Sequence, residues 1–149
     1  MRMIGLIGGL SWESTVCYYQ LLNRMARAQL GGLHSAPILL YSFEFSEIAA
    51  LQEADDWQAL DRRMEQAARS LNNAGAELLA IATNTMHRSA DHVVAATGLE
   101  LVHITDCTSQ AILGKGHRRP LLLATRFTME QDFYTGRMRG LGLDPQIPP

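Results

Sequence analysis

Thr83, Asn84, Thr85 and His87 fall within one short segment that follows a compact apolar run from Glu77 to Ala82. The stretch Ile81 to His87 therefore joins a strand end, two hydroxyls, a side-chain amide and an imidazole. They offer hydroxyl donors, a two-way side-chain amide and backbone N–H groups at a helix start. The residues after them read as a helix, so the polar cluster is expected at the carboxyl edge of a parallel strand, where open α/β sheets bind ligands. Spacing alone leaves two readings open: a ligand site, or a helix N-cap in which Thr and Asn supply side-chain acceptors. His87, one turn into the helix, reads as a packing or supporting residue rather than a base.

Other candidate chemistry is sparser. Gly5-Leu6-Ile7-Gly8-Gly9 lacks both the G-x-G-x-x-G fingerprint and a G-K-[ST] ending, so a nucleotide loop is not the leading reading. A glycine turn opening a helix can still hold a small anion on free backbone N–H groups, or it can serve geometry alone. His34, His92, His103 and His117 show no metal-ligand spacing, and no metal site is expected. Glu44 and Glu47, and Asp55-Asp56, read as solvated helix-start carboxylates. No G-x-S-x-G elbow is present, and Lys115, the single lysine, sits in a glycine-rich linker unsuited to a Schiff base. Cys17 and Cys107 are too few for a disulfide framework and are expected as two partly buried thiols.

Composition bounds the answer. The 149 residues are 47% hydrophobic and 19% charged, which suits one globular domain better than two or a disordered chain. A net charge of -2 gives no electrostatic footprint for nucleic acid, and the arginines are scattered. No run approaches the length of a membrane span, and Met3 to Ile7 is too short for a signal peptide, so no membrane partner is expected and the cytoplasm is the default location.

The elements that must position the cluster follow in order. Met3 to Ile7 is a strand ended by Gly8-Gly9, with Ser11 or Ser14 as helix N-cap. Val16, Tyr19, Leu22, Met25, Ala26 and Leu30 recur at helical spacing as the apolar face of the next helix. Pro37 to Phe43 is apolar nearly throughout, as a strand covered on both faces would be. Glu44 to Gln52 reads as a loop with a short helix. A longer helix starts at Asp55 or Asp56 and carries Trp57, Leu60, Met64, Ala67, Leu71 and Ala74 on one stripe. Glu77 to Thr83 is a third strand, Thr85 to about Ala96 a helix, Glu100 to Ile104 a fourth strand and Thr105 to Leu113 a helix. Four βα units make the fold class α/β: a doubly wound parallel four-stranded sheet flanked by helices. The break Gly114 to Pro120 divides a first domain, 1–115, from 116–149, the incomplete start of a second similar lobe. There Leu121 to Thr125 reads as a strand, Thr128 to Arg139 as a helix and Gln146-Ile147 as the opening of another strand.

Four segments carry a resemblance: Ile4 to Thr15 (Ile-Gly-Leu-Ile-Gly-Gly-Leu-Ser-Trp-Glu-Ser-Thr), Gly31 to Ala36, Thr83 to His87, and Thr125 to Tyr134. Together they resemble the aspartate/glutamate racemase family over nearly the whole chain. The resemblance implies two α/β lobes, an active site between them, no cofactor, and one catalytic residue from each lobe on opposite faces of the substrate's α-carbon. One group removes the α-proton while the other delivers a proton, and donors aimed at the carboxylate stabilise the carbanion-like transition state. Carried over by motif, Thr83 stands where most members have a first catalytic Cys, as in a subgroup pairing Thr with Cys. Asn84 and Thr85 would hold substrate carboxylate or amino groups. Leu10, through its backbone, and Gln52 match pocket positions, while Ser11 and Thr125 are second-tier candidates. Thr is a far weaker acid and base than a thiol, whose free pKa is about 8.5, so the two directions of transfer should be unequal.

The second catalytic Cys, expected in a Gly-Cys-Thr-Glu type motif, is absent from these residues. The expectation is a truncated chain with little racemisation of its own, exposed apolar surface and self-association, with a homodimer as the expected assembly. The substrate implied is a small acidic amino acid. Alternatives are a dicarboxylate-binding regulatory remnant, or a related superfamily enzyme such as a hydantoin racemase, maleate isomerase or arylmalonate decarboxylase. The Thr-Asn-Thr and Thr-Met-Glu-Gln-Asp-Phe-Tyr segments favour the acidic amino acid branch.

Overall fold

Strand β1 (Ile4–Gly8) occupies an interior place in a four-stranded sheet, and its Leu6 and Ile7 are fully buried. The computed structural model describes residues 1–148. Strand β2 (Ile38–Ser42) pairs with one edge of β1 and β3 (Leu78–Ile81) with the other, both parallel. The two-residue β4 (Leu101–Val102) completes the order β2-β1-β3-β4 of a parallel sheet flanked by helices. The expected α/β architecture is therefore found, with β4 shorter than the Glu100 to Ile104 run suggested.

Contacts gather the chain into two units, one formed by Met1–Thr83 with Ser89–Leu101, the other by Asn84–Arg88 with the residues from Val102 onward. Helix α5 (Ile104–Gly114) thus groups with the residues after it rather than those before the Gly114 to Pro120 break.

In the first unit, helix α3 (Trp57–Asn73) has the stripe its spacing predicts. Trp57, Leu60, Met64, Ala67, Ala68 and Leu71 are buried, and Asp56 caps the start by accepting the Ala59 N–H at 2.9 Å. Ala74 lies just past the helix and is exposed. Glu44 to Gln52 is more regular than expected: Phe45–Glu53 forms helix α2, capped by the Glu44 side chain. Glu47 pairs with Arg63. Helix α1 (Trp12–Leu30) departs from its expected face. Only Thr15 and Ala26 are buried, Tyr18 and Leu22 partly so, whereas Tyr19, Met25 and Leu30 are more than half exposed. The helix is rotated by Thr15, which packs where a side chain on Gly8 would otherwise sit. Strand β2 also departs: as an edge strand it is nowhere fully buried, and Leu40 is 48% exposed.

The helix expected from Thr85 to Ala96 is divided into a 3₁₀ turn (Thr85–Ser89) and helix α4 (Ala90–Thr97). In the first unit, Ser89 Oγ donates to Asp61 Oδ1 at 2.6 Å, a tie to α3 at the very start of α4.

The second unit is built on α5, α6 (Arg126–Glu130) and α7 (Asp132–Gly140). Tyr134, Met138 and Leu143 form its core, with Ile104, Ile112, Leu122 and Phe133 against them. The strand expected over Leu121 to Thr125 is reduced to one parallel bridge, Leu121 to Gln146, so Gln146 does begin a pairing. The single helix expected from Thr128 to Arg139 is two, because Gln131 is extended between α6 and α7. Cys17 and Cys107 are both exposed, against the expectation of partly buried thiols, since each lies on an outward helix face.

Leu60 sits fully buried at the first turn of α3. Truncation there leaves a cavity, and Leu60→Ala is expected to lower unfolding stability by about 2–5 kcal/mol in urea titrations followed by circular dichroism.

Candidate active site

Three neighbouring parallel strands deliver the first group of candidate residues from their carboxyl ends. Leu10 follows β1, α2 with Gln52 follows β2, and Thr83 follows β3. The common level of the three strand ends is set by register: Ile7 is opposite Ile81, Gly8 is opposite Ser42, and the ladder continues through Phe43 N–H to Gly8 O and Ala82 N–H to Ile7 O. Leu10 is buried, while Ser11, Gln52 and Thr83 are partly buried.

The glycine turn after β1 is closed by a residue that the sequence reading did not single out. Thr15 Oγ1 accepts the Gly9 N–H at 2.9 Å and contacts the Ser11 carbonyl at 3.3 Å. That N–H is therefore committed to the fold, which favours the geometric reading of the glycine turn over the anion-site reading at this position. Gly9 has φ +74, and a Cβ there would lie 2.4 Å from both Phe43 N and Phe43 O. Backbone atoms cannot give way as a side-chain tip can, so glycine is required. Ser11 stands at the N-cap of α1 but makes no side-chain cap hydrogen bond; its hydroxyl donates to Glu13 Oε2 at 2.9 Å.

The second group lies in the other unit. Asn84 is partly buried and its carbonyl accepts the His87 N–H at 3.0 Å, closing the 3₁₀ turn. Thr85 is buried, and its hydroxyl lies 3.0 Å from that of Thr125, which lies 3.1 Å from that of the fully buried Thr128. The structure thus joins Thr85 to the second-tier candidate Thr125, with Thr128 as an added member. Gln131 Oε1 accepts from Arg88 at 3.4 Å beside this chain of hydroxyls.

His87 is 2% exposed and supports the turn as the sequence suggested, but in a specific way. Its Nε2 accepts the Ile104 N–H at 3.3 Å. His103 Nδ1 accepts the Thr105 N–H at 3.2 Å, and the two rings meet edge to face with centroids 4.6 Å apart. The start of α5 is thereby capped by two imidazoles, a role that the usual Ser, Thr, Asp and Asn cap signature would not reveal.

Asp106, in the first turn of α5, accepts from Arg137 Nε and Nη2 at 2.6 and 2.7 Å. This paired hydrogen bond holds its carboxyl below the ordinary aspartate value. Burial pushes the Tyr134 hydroxyl up. Among the described residues no group of His, Cys, Asp and Glu is arranged to hold a metal ion, and no helix is long and apolar enough to cross a membrane.

A family profile for Asp/Glu/hydantoin racemases matches residues 7–149. The chain belongs to that family. Its fold is similar to that of a Yersinia pestis protein described as an Asp/Glu racemase, with 50% identity and a TM-score of 0.95 over 100% of this chain. It is likewise similar to an aspartate racemase homologue from Pyrococcus horikoshii OT3, at 35% identity and TM-score 0.87 over 100% of the chain. The aspartate racemase of Picrophilus torridus matches at 25% identity and TM-score 0.80 over 99% of it. The chain spans 65% of the first two structures and 63% of the third.

Two outcomes test these supports. Gly9→Ala is expected to cost on the order of 2–4 kcal/mol of stability, measured by urea unfolding, because it meets backbone and sits at positive φ. The Asp106 carboxyl, lowered when folded, adds stability above the unfolded value near pH 4, and this is lost as pH falls through the lowered folded value. With both partners partly exposed, Asp106→Asn should destabilise by about 0.5–1 kcal/mol at pH 7, and the two proteins should converge in stability as acid protonates the carboxylate.

Proposed function

We propose that this chain carries the substrate-holding part of a cofactor-independent racemase of aspartate or glutamate. The observation that supports the reading best is the placement of Thr83-Asn84-Thr85 directly after β3, following the parallel-strand edge from which Leu10 and the Gln52-bearing helix also emerge. In this reading Thr83 is the proton-transfer group on one face of the α-carbon. Asn84 and Thr85 hold carboxylate or amino groups, Gln52 supplies a side-chain amide and Leu10 a backbone contact.

The chemistry asks for a group of each kind. The α-proton of an amino acid becomes removable when donors fixed at the carboxylate accept the charge that develops as the bond to hydrogen breaks. An amide and hydroxyls can do this without adding negative charge of their own. Thr85 is suited to a fixed geometry because Thr125 and Thr128 hold its hydroxyl in a chain. Inversion needs a second proton-transfer group on the opposite face. Cys17 and Cys107 lie exposed on α1 and α5, and neither is assigned that role. The second thiol implied by the family resemblance, a homodimeric assembly and a cytoplasmic setting belong to the same proposal.

Calorimetry with L-aspartate and L-glutamate tests the binding part. Saturable binding is expected, weakened about tenfold or more by Asn84→Ala, as loss of a hydrogen bond to a charged ligand predicts. Deuterium exchange at the α-carbon tests the chemical part. Exchange by the 149 residues alone is expected to be slow, and whatever is measured should vanish in Thr83→Ala and persist in Thr83→Ser. Absence of saturable binding of either amino acid defeats the reading. Binding without any exchange that depends on Thr83 would favour a dicarboxylate-binding regulator.

A further inference from the structure

We infer that His87 is a positioning residue, acting as a neutral imidazole that fixes Asn84 and Thr85 by tying their turn to the start of α5. The inference rests on the substrate-holding role proposed for Asn84 and Thr85, and its structural part is judged separately below.

Two hydrogen bonds and a ring contact converge on this residue. Its side-chain Nε2 accepts the N–H of Ile104, the first residue of α5. Its own N–H donates to the carbonyl of Asn84. Its ring packs edge to face on His103, whose Nδ1 accepts the next helical N–H, that of Thr105. A continuous path therefore runs from the start of α5, through the imidazole and backbone of His87, to the carbonyl of Asn84. Thr85, the next residue, is held from its other side by the hydroxyl of Thr125.

A 3₁₀ turn makes poor internal hydrogen bonds and is not a rigid platform by itself. External anchors are what give it a fixed place; the His87 side chain supplies the one at the start of α5, beside those from Thr85 to Thr125 and from Arg88 to Gln131. The bond also dictates the form of the ring. A nitrogen that accepts an N–H carries no proton, so the neutral tautomer with its proton on Nδ1 is the one that fits. An imidazolium would lose that acceptor, leave the partly buried Ile104 N–H without it and set a positive charge against the positive end of the helix dipole. The charged and titratable groups around it are His103, the Asp106–Arg137 pair and Arg88 on its own turn.

The experiment uses the 149-residue chain and two substitutions. Long-range ¹H–¹⁵N spectra should show His87 as the Nδ1–H tautomer with Nε2 unprotonated. His87→Leu removes the acceptor and should shift the Asn84 and Thr85 amide signals, speed hydrogen exchange at Ile104, and weaken L-aspartate binding about tenfold or more. His87→Gln carries a carbonyl oxygen near the position of Nε2 and should restore both the amide signals and the affinity. A protonated Nε2 in the native chain overturns the inference, as does native aspartate affinity in His87→Leu. If His87→Leu does not fold, failure of His87→Gln to preserve the Ile104 protection and the affinity overturns it. If the native chain binds no aspartate, the functional reading falls by itself. The tautomer, the Ile104 exchange and the Asn84 and Thr85 signals still decide whether His87 anchors the turn.

Discussion

The carboxyl end of β1 is pinned from three directions, and the rest of the first unit is arranged around that constraint. Phe43 N–H reaches Gly8 O at 3.0 Å, Ala82 N–H reaches Ile7 O at 2.8 Å, and Gly9 N–H reaches Thr15 Oγ1 at 2.9 Å. The first two bonds bring the chain after β2 and the chain after β3 to the level at which β1 ends. The third forces the chain leaving β1 to turn at once into α1. Three segments thus depart together from one edge, and residues far apart in sequence become candidates for one site. The turn works only because Gly9 has no side chain to meet the Phe43 backbone.

The same constraint explains the orientation of α1. Thr15 must face the sheet to receive the Gly9 N–H, and its atoms occupy the space beside Gly8. With that residue fixed inward, the buried line runs through Ala26, and Val16, Tyr19, Met25 and Leu30 are carried to the surface. An apolar count at helical spacing registered these residues as a core face. It could not register a threonine whose position is decided by a hydrogen bond to a glycine six residues earlier. Strand β2 misleads for a related reason: an apolar run reports what a strand could bury, whereas its place at the sheet edge decides what it does bury.

Where side-chain periodicity and local chemistry agree, the sequence was a reliable guide. Asp56 caps α3, whose stripe from Trp57 to Leu71 is buried, and the three longer strands lie within a residue or two of their expected places. The position of Thr83-Asn84-Thr85 after β3 was also legible, since an apolar run followed by polar residues marks a strand end. The division at Gln131 and the two histidine caps were not, because Gln131 carries no breaker signal and imidazole is not among the usual cap groups. Local tertiary partners decide both.

The choice of imidazoles at the start of α5 has a consequence for charge. The N–H groups of a helix start are most often met by Asp, Ser, Thr or Asn, and a carboxylate there gains further from the helix dipole. Such a carboxylate beside the turn bearing Asn84 and Thr85 would repel an acidic amino acid, if these two residues hold one as proposed. The ring nitrogens of His87 and His103 accept the same N–H groups without bringing a carboxylate's charge. The one acidic residue in the first turn, Asp106, is covered by a two-point hydrogen bond from Arg137. Both arrangements limit uncompensated negative charge where the proposed ligand would bring its own, so the polar construction of this helix start and the acidic substrate belong to one electrostatic argument.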